Sequence, residues 1–155
     1  MIYAGIALAI LIVDLGIKYH IERHRKMQQE NNILKDIIII RKHHNKGIAL
    51  NTLDQHTRIV KGMSVGMTIL IAITTLCTCF GRRNKESSIG RKTGLAFVLG
   101  GALSNTYDRI VRGYVVDYFS FNVKWKKLRN VIFNIADLFI FIGAILMSFC
   151  GNKHS

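Results

Sequence analysis

Residues 62–80, GMSVGMTILIAITTLCTCF, form an apolar stretch that contains no charged side chain. A helix of roughly 20 apolar residues is long enough to cross the hydrocarbon core of a bilayer, which is about 30 Å thick. Residues 2–19, 93–109 and 131–150 show the same apolar character with few charges. The sequence therefore predicts a membrane α-helical protein with four transmembrane helices, built as a single domain over residues 1–155.

The composition combines two properties that rarely occur together in a soluble domain. Half of the 155 residues are hydrophobic, yet the formal net charge is +13. The basic residues lie between the apolar stretches, as expected for charges at lipid headgroups. No helix-turn-helix, zinc-finger or RNA-binding signature accompanies them. We therefore expect membrane phospholipid as a partner and no nucleic acid.

The hydrophilic region between the first two predicted spans contains a β signal. Residues 37–40 (IIII) favour a strand, residues 44–47 (HNKG) a turn, and residues 48–50 (IAL) a returning strand. This pattern predicts a small extracytoplasmic β-sheet within residues 33–60. Residues 21–32 (IERHRKMQQENN) are interpreted as a polar extension of the first helix. The histidines of this region have no metal-ligand spacing, so we expect them to be solvated.

The connection between the second and third spans indicates the orientation. Residues 82–92 are dense in Lys and Arg, and Glu86 is their single acidic residue. Such short basic loops remain in the cytoplasm under the positive-inside rule. Four spans then place both termini in the cytoplasm. The first and third spans end at the outer face, and the fourth begins there.

Charged and amide side chains from three spans converge at that face. A charge within the hydrocarbon region costs about 3 kcal/mol or more, so such groups normally face the bundle interior or water. Convergence of several of them in one layer indicates a site. The residues are Asp14 and Lys18 in the first span, Asn105, Asp108 and Arg109 in the third, and Asn134 and Asp137 in the fourth.

The spacing divides these carboxylates into two kinds. Asp14 lies four residues before Lys18, and Asp108 adjoins Arg109, so both have basic neighbours available for ion pairs. Asp117 and Asp137 lack such a neighbour; we place Asp137 about two turns into the fourth span.

Two buried carboxylates cannot both ionise cheaply, so one retains a proton near neutral pH. Such a pair can activate water and polarise a carbonyl, which favours an aspartyl hydrolase. A proton-coupled transporter and a structural polar layer remain open on spacing alone. The transporter is weakened by the absence of an ionisable residue in the second span and of an internal repeat.

Several motifs carry a family resemblance over nearly the whole chain. Residues 105–109 (NTYDR) with 115–117 (VVD), followed by 133–137 (FNIAD), resemble the paired signatures of signal peptidase II, the bacterial lipoprotein signal peptidase family. Residues 14–18 (DLGIK) and 45–49 (NKGIA) resemble the family's first-helix motif and its N-x-G-x-A segment. The two C-terminal motifs are the more specific ones.

The resemblance implies an intramembrane aspartyl endopeptidase that removes signal peptides from prolipoproteins. Cleavage would occur N-terminal to the diacylglyceryl-modified cysteine, without a metal or other cofactor. The enzyme would be a multi-pass protein of the bacterial cytoplasmic membrane with its site toward the outer face, and we expect a monomer. Asp117 and Asp137 would be the catalytic dyad. The residues lining or bracing the groove would be Asp14, Lys18, Asn45, Gly47, Asn105, Asp108, Arg109 and Asn134.

The chain departs from the family pattern away from the dyad. Leu50 stands where Phe is usual, Asn51 where a small hydroxyl residue is common, and Ser104 where Gly is usual. Proline is missing before Phe133, and the segment before the fourth span is unusually basic. The departures at Leu50, Asn51 and Ser104 keep an alternative open, a non-catalytic lipopeptide-binding membrane protein of the same fold. The Gly100–Gly101 pair is expected to allow close helix packing, with no ligand role.

Overall fold

The computed structural model describes residues 1–27, 29–47, 56–80 and 89–150. Long helices dominate this part of the chain, and a small sheet lies at one end of them. The helices are α1 (Ile2–His24), α2 (Thr57–Phe80), α3 (Ile89–Val111), α4 (Lys126–Arg129) and α5 (Ile135–Cys150). The strands are β1 (Asn31–Ile33), β2 (Ile38–Asn45) and β3 (Val115–Phe121).

Helix α3 is the centre of the bundle and packs against α1, α2 and α5. Two adjacent glycines let the backbones approach closely. A Cβ atom on Gly100 would lie 2.7 Å from the carbonyl oxygen of Ala7 in α1. One on Gly101 would lie 2.5 Å from the carbonyl oxygen of Ala136 in α5. The predicted packing role of this glycine pair is confirmed, and it brings the polar ends of α1, α3 and α5 together.

Two helical segments, Ile2–His24 and Thr57–Cys79, are long and apolar enough to cross a bilayer. Helix α5 is apolar but contains only 16 residues. Large apolar side chains of α2, among them Met67 and Leu70, are each 59% exposed. An outward apolar surface of this kind is suited to lipid rather than water.

The sheet has the order β1-β2-β3, with both strand pairs antiparallel. Its third strand follows α3, so the sheet is not confined to residues 33–60 as predicted. The predicted turn at residues 44–47 is also wrong in its first part, because β2 continues until Asn45 pairs with Val115. Burial explains this continuation, because nearly all of β3 is buried and its backbone N–H and C=O groups need a paired strand, which β2 supplies. The predicted returning strand, residues 48–50, lies outside the described residues.

Two predicted helix boundaries are corrected. The predicted helical extension over residues 21–32 is confirmed as far as His24 and wrong beyond it, because Arg25 is extended and the chain then enters β1. The last helix begins at Ile135 rather than at residue 131, because Phe133 is held beside β3 by a hydrogen bond from its N–H to the Phe119 oxygen (2.7 Å).

The start of α5 is fixed by a capping box formed by Asn134 and Asp137. The Asn134 Oδ1 accepts the N–H of Asp137 (2.9 Å), and the Asp137 Oδ2 accepts the N–H of Asn134 (3.1 Å). This reciprocal pair satisfies backbone donors that the first turn leaves free. Asp137 therefore lies in the first turn of α5 and not two turns into it.

Candidate active site

The two carboxylates without basic neighbours in the sequence, Asp117 in β3 and Asp137 in α5, meet around Asn134. The side-chain amide of Asn134 donates to Asp117 Oδ1 (2.7 Å), while its backbone N–H donates to Asp137 Oδ2 (3.1 Å). Asn45 donates to Asp117 Oδ2 (3.0 Å), and Asn105 donates to Asp137 Oδ1 (2.8 Å). All four carboxylate oxygens thus accept an amide N–H.

The orientation of the three asparagine amides is fixed by what their oxygens accept. The Oδ1 of Asn45 accepts the N–H of Gly47 (3.1 Å), and that of Asn105 accepts the Lys18 ammonium (2.8 Å). The Oδ1 of Asn134 accepts the first-turn N–H described above. Each NH₂ group must therefore point to a carboxylate, because a flipped amide would lose its bond and face a donor with a donor.

Asp117 is 3% exposed and lies opposite Asp137 in this arrangement. Burial, reinforced by the negative charge of Asp137, raises the pKa of Asp117 from 3.8 to about 7. In the described part of the chain, neither carboxylate of this pair forms an ion pair with Lys, Arg or His. Asp117 therefore exchanges a proton near neutral pH, as a general acid or base must.

A second group of carboxylates surrounds the buried ammonium of Lys18. Its Nζ lies 2.7 Å from Asp14 Oδ2 and 3.3 Å from Asp108 Oδ2, and all three side chains are 0% exposed. The predicted Asp14–Lys18 pair is confirmed. The predicted pairing of Asp108 with Arg109 is wrong, since the second cation at Asp108 is Arg112 (3.0 Å), one helical turn further along α3.

Arg109 does not contact Asp108 but reaches the chain just after strand β2. Its Nη2 donates to the carbonyl oxygen of Gly47 (3.1 Å), and its Nη1 reaches the carbonyl oxygen of Asn105 at 3.5 Å. The buried Nε has no hydrogen-bond partner among the described residues. Beside the guanidinium, a groove of about 210 Å³ opens between α2 and α3, with Met63 and Met67 in its lining.

The contacts above bring all ten sequence-predicted site residues into one network. Hydrogen bonds and ion pairs lead without interruption from one member to the next. All ten residues lie at one end of the helix bundle, where α1 and α3 end, α5 begins and the sheet packs against the helices. The residues are Asp14, Lys18, Asn45, Gly47, Asn105, Asp108, Arg109, Asp117, Asn134 and Asp137.

Three members of this network were not predicted as site residues from the sequence. Ser104 donates to Asp14 Oδ2 (2.6 Å), and the Tyr118 hydroxyl donates to Asp14 Oδ1 (3.0 Å). Arg112 is the ion-pair partner of Asp108. Spacing offered a signal for two of them, because Ser104 and Arg112 each lie four residues from Asp108 on one helical face. Tyr118 had no such signal; burial and the charge of Asp14 raise its pKa.

A further carboxylate, Glu22, lies where α1 meets the sheet. It contacts the ammonium of Lys42 (3.1 Å) and the Nε2 of His44 (3.0 Å). The His44 ring stacks on Tyr114, with 3.9 Å between the ring centroids. The prediction of a solvated histidine is therefore wrong for His44. These contacts hold β2 against α1 at His44, the residue before Asn45.

Within the described residues, no group of three or more His, Cys, Asp or Glu side chains is arranged to hold a metal ion. What the geometry does provide is a carboxylate pair whose oxygens are held by neutral donors. A carboxylate pair with one buried member and one partly buried member can share one proton and act on water and a carbonyl group together.

Comparison with known proteins gives consistent results in sequence and structure. A family model described as Signal peptidase (SPase) II matches residues 6–151. Proteins named lipoprotein signal peptidase from Brucella ovis and Brucella melitensis are 35% identical over 150 residues, covering 94% of this chain and 88% of their own.

Solved structures show the same likeness. Two of them, described as bacterial membrane enzyme structures obtained by the in meso method, have TM-scores of 0.78 and 0.79. Both are 25% identical to this chain and cover 99% of it, and the matches span 92% and 94% of the solved chains.

Proposed function

The chain belongs to the signal peptidase II family, and we propose that Asp117 and Asp137 are its catalytic dyad. As a member of that family it is a protease that removes signal peptides from prolipoproteins. The observation that carries the proposal is the contrast in the site. Asp117 and Asp137 are held by neutral amide donors, whereas the Lys18 ammonium compensates the other buried carboxylates.

The dyad acts as one unit with a single shared proton. Its ionised member takes a proton from a water molecule, whose oxygen attacks the carbonyl carbon of the scissile peptide bond. The protonated member donates to the carbonyl oxygen as the tetrahedral intermediate forms. Collapse of that intermediate breaks the C–N bond. The leaving nitrogen takes a proton from the protonated member, and a hydroxyl of the intermediate gives its proton to the ionised member, which restores the singly protonated dyad. The acid and base roles belong to the pair rather than to one residue.

The surroundings of the dyad suit a lipid-modified peptide. The scissile bond would lie N-terminal to the diacylglyceryl cysteine, in reach of both carboxylates. The Arg109 Nε, which lacks a partner among the described residues, is a donor for a substrate carbonyl. The adjoining groove between α2 and α3 contains Met63 and Met67, flexible apolar side chains that adapt to an acyl chain.

We place the protein in the bacterial cytoplasmic membrane as a four-span monomer, with α1, α2, α3 and α5 as the spans, surrounded by phospholipid. The basic residues 82–92 and both termini lie in the cytoplasm, and the site opens toward the outer face. The length of α5 supports this arrangement. Its 16 residues extend about 24 Å, less than the hydrocarbon thickness, so Asp137 in the first turn lies near the membrane boundary.

The alternative of a non-catalytic lipopeptide binder is not favoured, since the family and the relatives named above are peptidases. Two of the departures behind it, Leu50 and Asn51, lie outside the described residues. The third, Ser104, is directed at Asp14 and leaves the amide donors of the dyad in place.

Cleavage of a purified diacylglyceryl prolipoprotein tests the proposal. Asp117→Asn and Asp137→Asn should each lower kcat by about a thousandfold or more, because each removes half of the acid–base pair. The matched control is Asp36→Asn, at an exposed aspartate in the turn between β1 and β2, which should cleave like the unmodified protein.

Two further samples complete the experiment. A precursor lacking the diacylglyceryl group should be a poor substrate, and each variant should be checked for normal insertion and unfolding temperature. Processing by either dyad variant at the unmodified rate would exclude the assignment. Tight binding of the precursor by the unmodified protein, without product, would instead establish the lipopeptide binder.

A further inference from the structure

The chain between β3 and α5 carries an exposed basic segment, residues 123–130 (VKWKKLRN). Trp125 is 68% exposed, and Leu128 is 37% exposed. They alternate with cationic side chains, all of them exposed. These are Lys124, Lys126, Lys127 and Arg129.

Both ends of this basic segment are fastened to the sheet. Just before it, the backbone N–H of Asn122 donates to the Ile37 oxygen (2.8 Å), and its side-chain amide donates to the Asp36 oxygen (2.7 Å). Just after it, Phe133 is bonded to Phe119 of β3. The basic segment is therefore held to the sheet at both of its ends.

The turn that Asn122 contacts, residues 34–37 (LKDI), exposes two large apolar side chains beside one basic and one acidic residue. Leu34 is 64% exposed, and Ile37 is 60% exposed. This turn and the basic segment together form one rim at the end of the sheet, in which apolar side chains lie among five basic residues and one acidic residue, Asp36. A rim of this composition is unfavourable in water alone, since large apolar side chains remain uncovered.

The charges of the basic segment are uncompensated. Arg41 in β2 pairs with Glu30. By contrast, across residues 1–27, 29–47, 56–80 and 89–150 no carboxylate lies within ion-pair distance of the four cations of the basic segment. The complementary partner is therefore anionic and also offers an apolar layer. A bilayer with anionic headgroups has both properties, and Trp side chains favour its interface.

We propose that the basic segment docks on anionic phospholipid headgroups beside the active site, with Trp125 and Leu128 inserted at headgroup depth. The position of the segment supports this occupant, because it leads directly into α5, the apolar helix whose first turn carries Asp137. Docking holds β3, and with it Asp117, at a fixed depth relative to the membrane. This lipid site goes beyond the cleavage reaction and does not depend on the dyad assignment.

Trp125 is the single tryptophan of the chain, so its fluorescence reports on this segment alone. The full-length protein is reconstituted in nanodiscs of phosphatidylcholine, with or without phosphatidylglycerol, and with brominated acyl chains as quenchers. We expect a blue-shifted and more strongly quenched emission with phosphatidylglycerol, and a loss of that difference at high salt.

The test variant is Lys126→Gln/Lys127→Gln. Removing two charges should weaken docking on anionic lipid about 30-fold, since each basic residue near such a surface contributes about 1 kcal/mol. The matched control is Arg91→Gln/Lys92→Gln, two basic residues at the other end of α3, roughly 27 Å along the helix from Arg109. The control should keep the full response of Trp125 to phosphatidylglycerol.

Identical Trp125 emission in both lipids would overturn the proposal, as would an unchanged response of the Lys126→Gln/Lys127→Gln variant. A Trp125 response to an acidic peptide in pure phosphatidylcholine, without a response to phosphatidylglycerol, would assign the segment to a peptide partner instead. Cleavage measured in detergent keeps the two proposals apart, because this variant should cleave normally there even when lipid docking is lost.

Discussion

Two pairs of aspartates lie at the same end of the bundle and differ in what compensates them. Asp14 and Asp108 are 0% exposed and share the Lys18 ammonium. Asp117 is 3% exposed, and among the described residues it and Asp137 accept hydrogen bonds from amide N–H groups alone. Asp137 is partly exposed, so the two pairs differ in solvent access as well as in the groups that compensate them. The first pair has a cation against it, whereas burial and the charge of Asp137 raise the pKa of Asp117 in the second pair to about 7.

The two pairs are coupled through Asn105. The Lys18 ammonium holds the oxygen of this amide (2.8 Å), and the amide NH₂ then points to Asp137 (2.8 Å). The compensated pair therefore orients the reactive one without contacting it. The buried Lys18 thus acts on Asp137 through the Asn105 amide.

The largest effect on stability is expected from Lys18→Met. It leaves Asp14 and Asp108 buried without the ammonium between them, which should lower the free energy of unfolding by about 3–5 kcal/mol. Denaturant unfolding in detergent micelles measures this loss. Lys35→Met, at an exposed lysine in the turn between β1 and β2, is the control and should change stability little. Equal stability of Lys18→Met and Lys35→Met would show that the Lys18 ammonium does not stabilise the buried carboxylates of Asp14 and Asp108.

The next effect concerns the amide that bridges the reactive pair. Asn134→Ala removes the donor to Asp117 and the acceptor that caps α5. We expect kcat to fall by about 100-fold with little change in KM, because a hydrogen bond to a charged group contributes about 1.5–3 kcal/mol. Asn130→Ala, at an exposed asparagine, should keep full activity. A loss confined to KM would assign Asn134 to substrate binding instead.

The pH dependence of cleavage should reveal the raised pKa of Asp117 in the amide-bound pair. The pKa of Asp117 is raised to about 7, so the carboxyl loses its proton as the pH rises through that value. The activity should decline about tenfold per pH unit above 7, because both members of the dyad are then ionised. Initial rates between pH 6 and pH 9 measure this decline, and a flat profile over that range would contradict it.

The same shift has a consequence for stability. Because the folded protein binds this proton more tightly than the unfolded chain does, burial of Asp117 costs stability as the pH rises from about 4 to 7, and the cost is complete above 7. The unfolding temperature of Asp117→Asn, relative to the unmodified protein, should therefore be more favourable at pH 8 than at pH 5. The Asp36→Asn variant should show no such trend.

The smallest effect on stability is expected at Glu22, a carboxylate that forms ion pairs near the surface. Its side chain is 27% exposed and contacts Lys42 and His44. Glu22→Gln should lower the free energy of unfolding by less than about 1 kcal/mol, because water screens a partly exposed ion pair. Unfolding beside the Lys18→Met variant gives the comparison. If the free energy of unfolding fell as much as in Lys18→Met, burial would not determine how much an ion pair contributes to stability.

Much of the site could be predicted from the sequence because helical spacing and the direction of the spans set it. Asp14 with Lys18 is one such case, and the shared end of α1, α3 and α5 is another. Asp108 shows the limit. Its predicted partner was the adjacent Arg109, whereas a helix places Arg112 on the same face and sends Arg109 toward Gly47.

The sheet was harder to predict because its pairing is long-range. Nothing local in residues 37–50 shows that β2 pairs with β3, a strand that follows α3. The start of α5 was predictable in principle, since Asn134 and Asp137 have capping-box spacing. That signal was outweighed by the apolar run beginning at residue 131.

The most direct test of the contrast between the two aspartate pairs is infrared difference spectroscopy of the carboxyl groups during a pH titration. A protonated-carboxyl band should appear in the unmodified protein as the pH falls through about 7. It should be absent from Asp117→Asn in that range and retained in Asp14→Asn. A band that persists in Asp117→Asn, or one that disappears in Asp14→Asn instead, would contradict the assignment of the mobile proton to the amide-bound pair.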